Sequence, residues 1–190
     1  MFQPRVKLEF VRRYCHPRNG WHVFVDIDPS EEGRTGGQRR TREAAVRQRE
    51  MQTDAERVRR ALLSLGVAAD GGRAAWYRNQ KLPRVDGDRD IVAFEPTRRL
   101  YLIAEVEGAS AGQPEQKLYK AVGQLVIAAS ATVLDGWKRS LVLVVHGEEV
   151  AGHLARAHCL ERIGVAGLVL ASRGSSDRWV FGAPIPQVNE

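Results

Sequence analysis

Cysteine is scarce: only Cys15 and Cys159 occur in 190 residues, far apart and in no metal-type or redox-type spacing, which excludes a disulfide framework. Long apolar runs are missing too. Without the roughly 20 consecutive apolar residues of a membrane-spanning helix, the expectation is a chain with no membrane partner. The N-terminal MFQPRVKLEFVRR scatters arginines among its apolar residues, so it lacks the uninterrupted core of a secretory signal. A cytoplasmic location is expected. Several catalytic signatures are also lacking. Gly36-Gly37-Gln38-Arg39-Arg40 does not have the Gly-x4-Gly-Lys spacing that cradles phosphates. His146 ends an apolar run with no Ser or Cys in a nucleophile-elbow context, so triad chemistry has no support. Neither Cys15, His16 and His22 nor His153, His158 and Cys159 supply four zinc ligands in a recognised spacing.

Positive charge, by contrast, is concentrated. The formal net charge is +6, and residues 34 to 60 hold nine arginines against four acids, Glu43, Glu50, Asp54 and Glu56. Nine minus four places +5 of the excess in one stretch. Such a surface attracts a polyanion, nucleic acid first and an acidic membrane second. Arg39, Arg40, Arg42, Arg47 and Arg49 are the candidate contacts. The competing reading is a solvated helix rich in ion pairs.

A chain of this length builds one ordinary domain. Within it we expect an N-terminal hairpin and polar loop over 1–40, a core over 41–146 and a helix–strand extension over 147–190. VKLEFVRRY and GWHVFVDID alternate loosely around turn signals at Pro17 to Gly20. They read as a β-hairpin over residues 5 to 27, a candidate element for a homodimer. The polar, Gly-rich residues 30 to 40 read as a loop. From Thr41 to Leu65 the pattern is helical, as one helix or as two if Thr53-Asp54-Ala55-Glu56 forms a capping box. Val58, Ala61, Leu62 and Leu65 supply its apolar stripe. AAWYRN, DIVAF and LYLIAEVE then read as strands and KLYKAVGQLVIAAS as a helix. SLVLVVHG, EEVAGHLARAHCLERIG and VAGLVLA follow as strand, helix and strand, a βαβ crossover that is right-handed by default. The fold class expected is α/β, with helices on both faces of a central sheet.

The strand Leu100 to Glu107 poses the chemical question. Both of its faces begin apolar, yet one of them ends in Glu105 and Glu107. If Pro96 to Arg99 form a four-residue loop, Glu95 pairs with Leu100, Asp90 faces Glu105, and Asp88 faces Glu107. Carboxylates gathered at the end of a buried sheet either share protons, with raised pKa values, or bind a cation. Oxygen ligands favour Mg²⁺ or Mn²⁺. The alternative is that both glutamates lie outside the core and pair with Arg89, Arg98 or Arg99. On the following helix Lys117, Lys120 and Gln124 share one narrow stripe, which can face the carboxylates. A lysine there can neutralise charge on a phosphate, and Gln124 can orient a water or contact the backbone.

The stretches GDRDIVAFE, LIAEVEG and KLYKAVGQL together resemble the PD-(D/E)XK nuclease superfamily over roughly residues 53 to 146. The family's pattern is an aspartate opening one strand, an acidic-x-lysine tripeptide on the next, and a helix often bearing lysine or glutamine. The resemblance implies a restriction-endonuclease-like central mixed sheet flanked by helices, and a Mg²⁺-dependent or Mn²⁺-dependent endonuclease acting on double-stranded DNA. It implies Asp90 and Glu105 as metal ligands with the Val106 carbonyl, and Glu56 as the upstream acid. Two departures stand out: Glu107 occupies the place of the lysine, and Arg89 that of the proline before the aspartate. Glu107 would then complete the metal site or help to activate water, with Lys120, then Lys117, as the displaced lysine. The second function consistent with the residues is a catalytically inactive nuclease-fold protein that binds nucleic acid or a protein partner.

Overall fold

A run such as Leu141-Val142-Leu143-Val144-Val145, apolar at every position, suits a strand covered on both faces. The computed structural model describes residues 1–27, 42–69, 72–108, 114–131, 133–172 and 175–182, apart from the side chains at 44, 114, 115, 117, 148 and 149. It holds one six-stranded mixed sheet between helices. The elements in chain order are α1 (Gln3–Tyr14), β1 (His22–Val25), α2 (Arg42–Ser64), α3 (Arg73–Gln80), β2 (Ile91–Glu95) and β3 (Leu100–Glu107). There follow α4 (Pro114–Ser130), β4 (Lys138–Val145), α5 (Glu148–Arg156), a 3₁₀ segment (His158–Ile163), β5 (Val165–Val169) and β6 (Arg178–Phe181). Strand order is sequential, β1 to β6. The first three strands are antiparallel, β3, β4 and β5 are parallel, and β6 returns antiparallel.

Alternation along each strand divides the interior into two cores. Leu102, Ala104, Val106, Val142 and Val144 pack with Val6, Phe10, Val11, Ala55, Val58 and Leu62 of α1 and α2. Tyr101, Ile103, Leu141, Leu143 and Val145 pack on the other face with Trp76 and Tyr77 of α3, Leu118 and Leu125 of α4, and Leu154 of α5. The expected α/β class with helices on both faces is therefore observed. Residues 41–146 do not stand apart, because β1 before them and β5 and β6 after them belong to the same sheet.

Two local expectations are corrected. Residues 5 to 27 form a helix and then a strand, not a β-hairpin. Val6, Leu8 and Phe10 alternate, but Pro4, Lys7, Leu8 and Val11 are also buried, and that spacing is the face of a helix. Pro4 favours a helix start, since its missing N–H costs nothing in the first turn. AAWYRN is likewise helical: it lies within α3, which is flanked by an N-cap Gly72 (φ 81°) and a left-handed C-cap Lys81 (φ 53°). Trp76 and Tyr77, adjacent in sequence, are both buried and meet Phe94 in one aromatic cluster, which side chains alternating across a strand would not do. Over residues 42–64 there is one continuous helix, and Thr53 lies inside it with its hydroxyl donating to the Arg49 carbonyl.

Candidate functional site

The β2–β3 register is the one expected from the four-residue loop: Glu95 pairs with Leu100, and the ladder runs on to Ile91 opposite Ala104. The next step brings Asp90 to the end of β3, where its Oδ2 accepts the Val106 N–H at 2.7 Å. Its carbonyl accepts the Asp26 N–H at 2.8 Å, so β1 also terminates here. Glu105 and Glu107 are both buried. On the far side, the His146 N–H donates to the Glu107 carbonyl at 3.0 Å, and His146 Nδ1 lies 2.9 Å from the Leu170 carbonyl. The acid corner thus sits where β3, β4 and β5 all point their C-terminal ends, the place at which open α/β sheets commonly bind ligands.

The electrostatics of this corner are unbalanced. Glu105 is only 1% exposed. Its pKa is pushed up to about 9, first by burial and then by the nearby Asp90 charge, with Glu107 adding to the rise against Arg89 and Lys7. Its Oε1 accepts no hydrogen bond among the described residues. Arg89 Nη1 is 3.8 Å away, beyond hydrogen-bonding range. That guanidinium is instead anchored on the Gln124 carbonyl at 3.0 Å. At neutral pH Glu105 therefore holds a proton unless further positive charge enters. Asp90 is better served: besides the Val106 amide, Lys7 Nζ lies 2.8 Å from its Oδ1. Lys7 reaches in from α1, also donates to the Asp26 carbonyl at 2.6 Å, and is completely buried.

The donors present are carboxylate oxygens and a main-chain carbonyl, the set that suits a hard divalent cation. The orphaned Glu105 Oε1 fits such an ion. Asp90 Oδ1 and the Val106 carbonyl already accept Lys7 and Gln3, the latter at 2.6 Å, and each oxygen keeps a second lone pair. Among the described residues no group of three or more His, Cys, Asp or Glu side chains converges as a ready-made metal cage.

The other sequence-derived candidates are more dispersed. Gln124 is half-buried on α4, its Nε2 3.5 Å from the Asp88 carbonyl at the edge of the corner. Lys120 is exposed on α4, and the Lys117 side chain lies outside the described residues. Glu56 is exposed on α2 and is not brought to the corner. Asp88 does not face Glu107. The chain leaves the ladder before it, and its side chain, 94% exposed, pairs with Arg73 of α3 at 2.9 Å. Arg42, Arg47 and Arg49 are exposed along α2, while Arg39 and Arg40 lie outside the described residues. Arg98, considered a partner for the acid corner, binds Glu95 at the opposite end of the hairpin.

Sequence reasoning missed Lys7 and Gln3. The signal was available: on a helix the two fall one turn apart on the same face, and Lys7 is three residues from Pro4 and four from Val11. No helix among the described residues is long and apolar enough to cross a membrane. No family model, curated protein or solved structure matches the chain.

Proposed function

We propose that the protein is a metal-dependent endonuclease of the PD-(D/E)XK kind that hydrolyses phosphodiester bonds in double-stranded DNA at the acid corner. The observation that carries this reading is Glu105: a buried carboxylate with one oxygen that no donor among the described residues reaches, beside Asp90, at the C-terminal ends of three parallel strands. Asp90, Glu105 and the Val106 carbonyl would hold Mg²⁺ or Mn²⁺, with Glu107 completing the oxygen set. When bound, the ion supplies Lewis-acid polarisation of a phosphoryl oxygen and a more acidic water. Asp90 is held in place by the Val106 amide and Lys7. Glu105 gives up its proton to enter the site and gains the charge compensation it otherwise lacks. Lys120 and Gln124 steady the scissile phosphate from α4. The arginines of α2, Arg42, Arg47 and Arg49, grip the DNA backbone and give salt-dependent affinity with little sequence content.

The test is incubation of the purified chain with plasmid and phage DNA in Mg²⁺, Mn²⁺ or EDTA. Metal-dependent nicking or cutting that disappears in Asp90→Ala and Glu105→Ala is the expected outcome, and cutting unaltered in either variant removes the assigned site. A second reading is favoured by Glu107 standing where the pattern has lysine: a nuclease-fold protein without catalysis that binds nucleic acid or a protein partner. A mobility shift with no strand breakage in any metal would decide for it.

A further inference from the structure

The strand β3 brings two carboxylates to the acid corner and no positive charge. The cation in hydrogen-bonding contact with Asp90 comes from another element altogether, the N-terminal helix. An ammonium buried as completely as that of Lys7 is costly unless charge and hydrogen bonds compensate it. Lys7 has both, in Asp90 at 2.8 Å and the Asp26 carbonyl at 2.6 Å. One turn earlier on the same face of α1, Gln3 donates to the Val106 carbonyl at 2.6 Å. The start of α1 is pressed against the strand end, because a Cβ at Gly108 would lie 2.9 Å from the Gln3 backbone. Two donors on one helix face are thus held against the two segments that carry Asp90 and Glu105.

We infer that Lys7 is the positioning cation of the acid corner: it sets the Asp90 carboxylate against the Val106 amide and supplies from α1 the positive charge that β3 does not carry. The inference rests on the metal-dependent reading above. Its consequence is a split between binding and turnover. The Lys7 ammonium repels a divalent ion from the Asp90 carboxylate it touches, so removing it strengthens cation binding, yet the corner then loses part of the positive charge that turnover on an anionic substrate uses.

The experiment follows Mn²⁺ binding by electron paramagnetic resonance, beside Mn²⁺-dependent nicking of plasmid DNA, on the full chain. Wild type is compared with Lys7→Met and Lys7→Gln. For Lys7→Met, Mn²⁺ is expected to bind at least as tightly while nicking slows by about tenfold or more. Lys7→Gln keeps an amide donor without the charge and is expected to behave alike, so it carries the test if Lys7→Met does not fold. A purely structural strap predicts instead that binding and nicking fall together and that Lys7→Gln preserves both. That result, or unchanged nicking in both variants, overturns the inference. Wild-type protein that binds no Mn²⁺, or binding indifferent to Glu105→Ala, removes the metal reading beneath it and is seen before any Lys7 variant is made.

Discussion

Two buried glutamates stand at opposite ends of the β2–β3 hairpin, and their surroundings differ in kind. At the turn end Glu95 is 4% exposed, and its Oε2 accepts both the Arg98 N–H at 2.7 Å and the Arg98 Nε–H at 3.0 Å. At the open end Glu105 is as deeply buried, but the Arg89 guanidinium stops at 3.8 Å and one oxygen accepts no hydrogen bond among the described residues. Burial of a carboxylate is therefore not in itself a functional signal, because local hydrogen bonds to charged donors can compensate it fully. Burial without compensation is different: it lowers stability for no structural return, the pattern expected where a site is kept ready for a ligand. The comparison would be broken by any result in which the two glutamates behave alike.

The largest difference is expected in activity. Glu105→Ala, like Asp90→Ala, should abolish metal-dependent cleavage, whereas Glu95→Ala should leave the cleavage rate of the folded fraction near wild type. Plasmid nicking measured at equal folded concentration checks this. Equal loss in both glutamate variants would mean that the hairpin as a whole, not its open end, carries the activity.

Next in size is the dependence of stability on pH. The folded pKa of Glu105 is raised to about 9 from an ordinary 4.5 by burial and the Asp90 charge. A raised carboxyl pKa means that the folded state binds the proton more tightly, so its contribution is fully present below about 4.5 and is lost as pH rises towards 9. The slope is at most about 1.4 kcal/mol per pH unit between those limits. Thermal melts without divalent ions should show wild type losing stability from pH 5 to pH 9. Glu105→Gln, which keeps the shape and cannot ionise, should be flatter and more stable than wild type at the alkaline end. A parallel fall in both proteins would assign the slope to other groups.

How much of this was legible beforehand depends on the kind of pattern involved. The hairpin register followed from loop length alone, since pairing Glu95 with Leu100 fixes every other partner, and the observed ladder keeps that rule to Ile91 and Ala104. It fails beyond Asp90, where Gly87 (φ 81°) turns the chain and Asp88 is drawn to Arg73. Lys7 escaped because VKLEFV satisfies a strand period as readily as a helix period, and short apolar runs do not distinguish the two. The direction in which a buried lysine points is a tertiary fact, set by α1 packing across the sheet. A strand reading of AAWYRN failed for the same reason, with aromatic packing from β1 and β2 deciding for a helix.

Removing the compensated glutamate should cost stability rather than chemistry. Glu95→Ala strips the Arg98 amide and guanidinium of an ionised acceptor in a buried setting, a loss of about 2 kcal/mol. Urea denaturation would show it as a lower midpoint at unchanged slope. A neutral outcome would place Glu95 beside Glu105 as a second uncompensated acid and erase the contrast.

The smallest expected effect sharpens the comparison at its supports. Gly20 has φ 81°, and a Cβ there would meet Glu95 Oε1 at 3.3 Å. Gly87 has the same φ, and its Cβ would meet Arg89 Nη2 at 2.9 Å. Alanine at either position carries the same left-handed backbone cost of about 1 kcal/mol, so the backbone term cancels between the two variants. What remains is the neighbour that must move. At Gly20→Ala the crowded atom belongs to a carboxylate fixed by two short hydrogen bonds, so the strain stays local and cleavage should not change. At Gly87→Ala the crowded guanidinium is the one beside Glu105, and its displacement from the Gln124 carbonyl alters the balance of charge around that acid. The two variants should therefore melt within about 1 kcal/mol of each other, with only Gly87→Ala shifting the metal concentration required for half-maximal nicking. Identical metal dependence in both would show that Arg89 is a bystander to the acid corner.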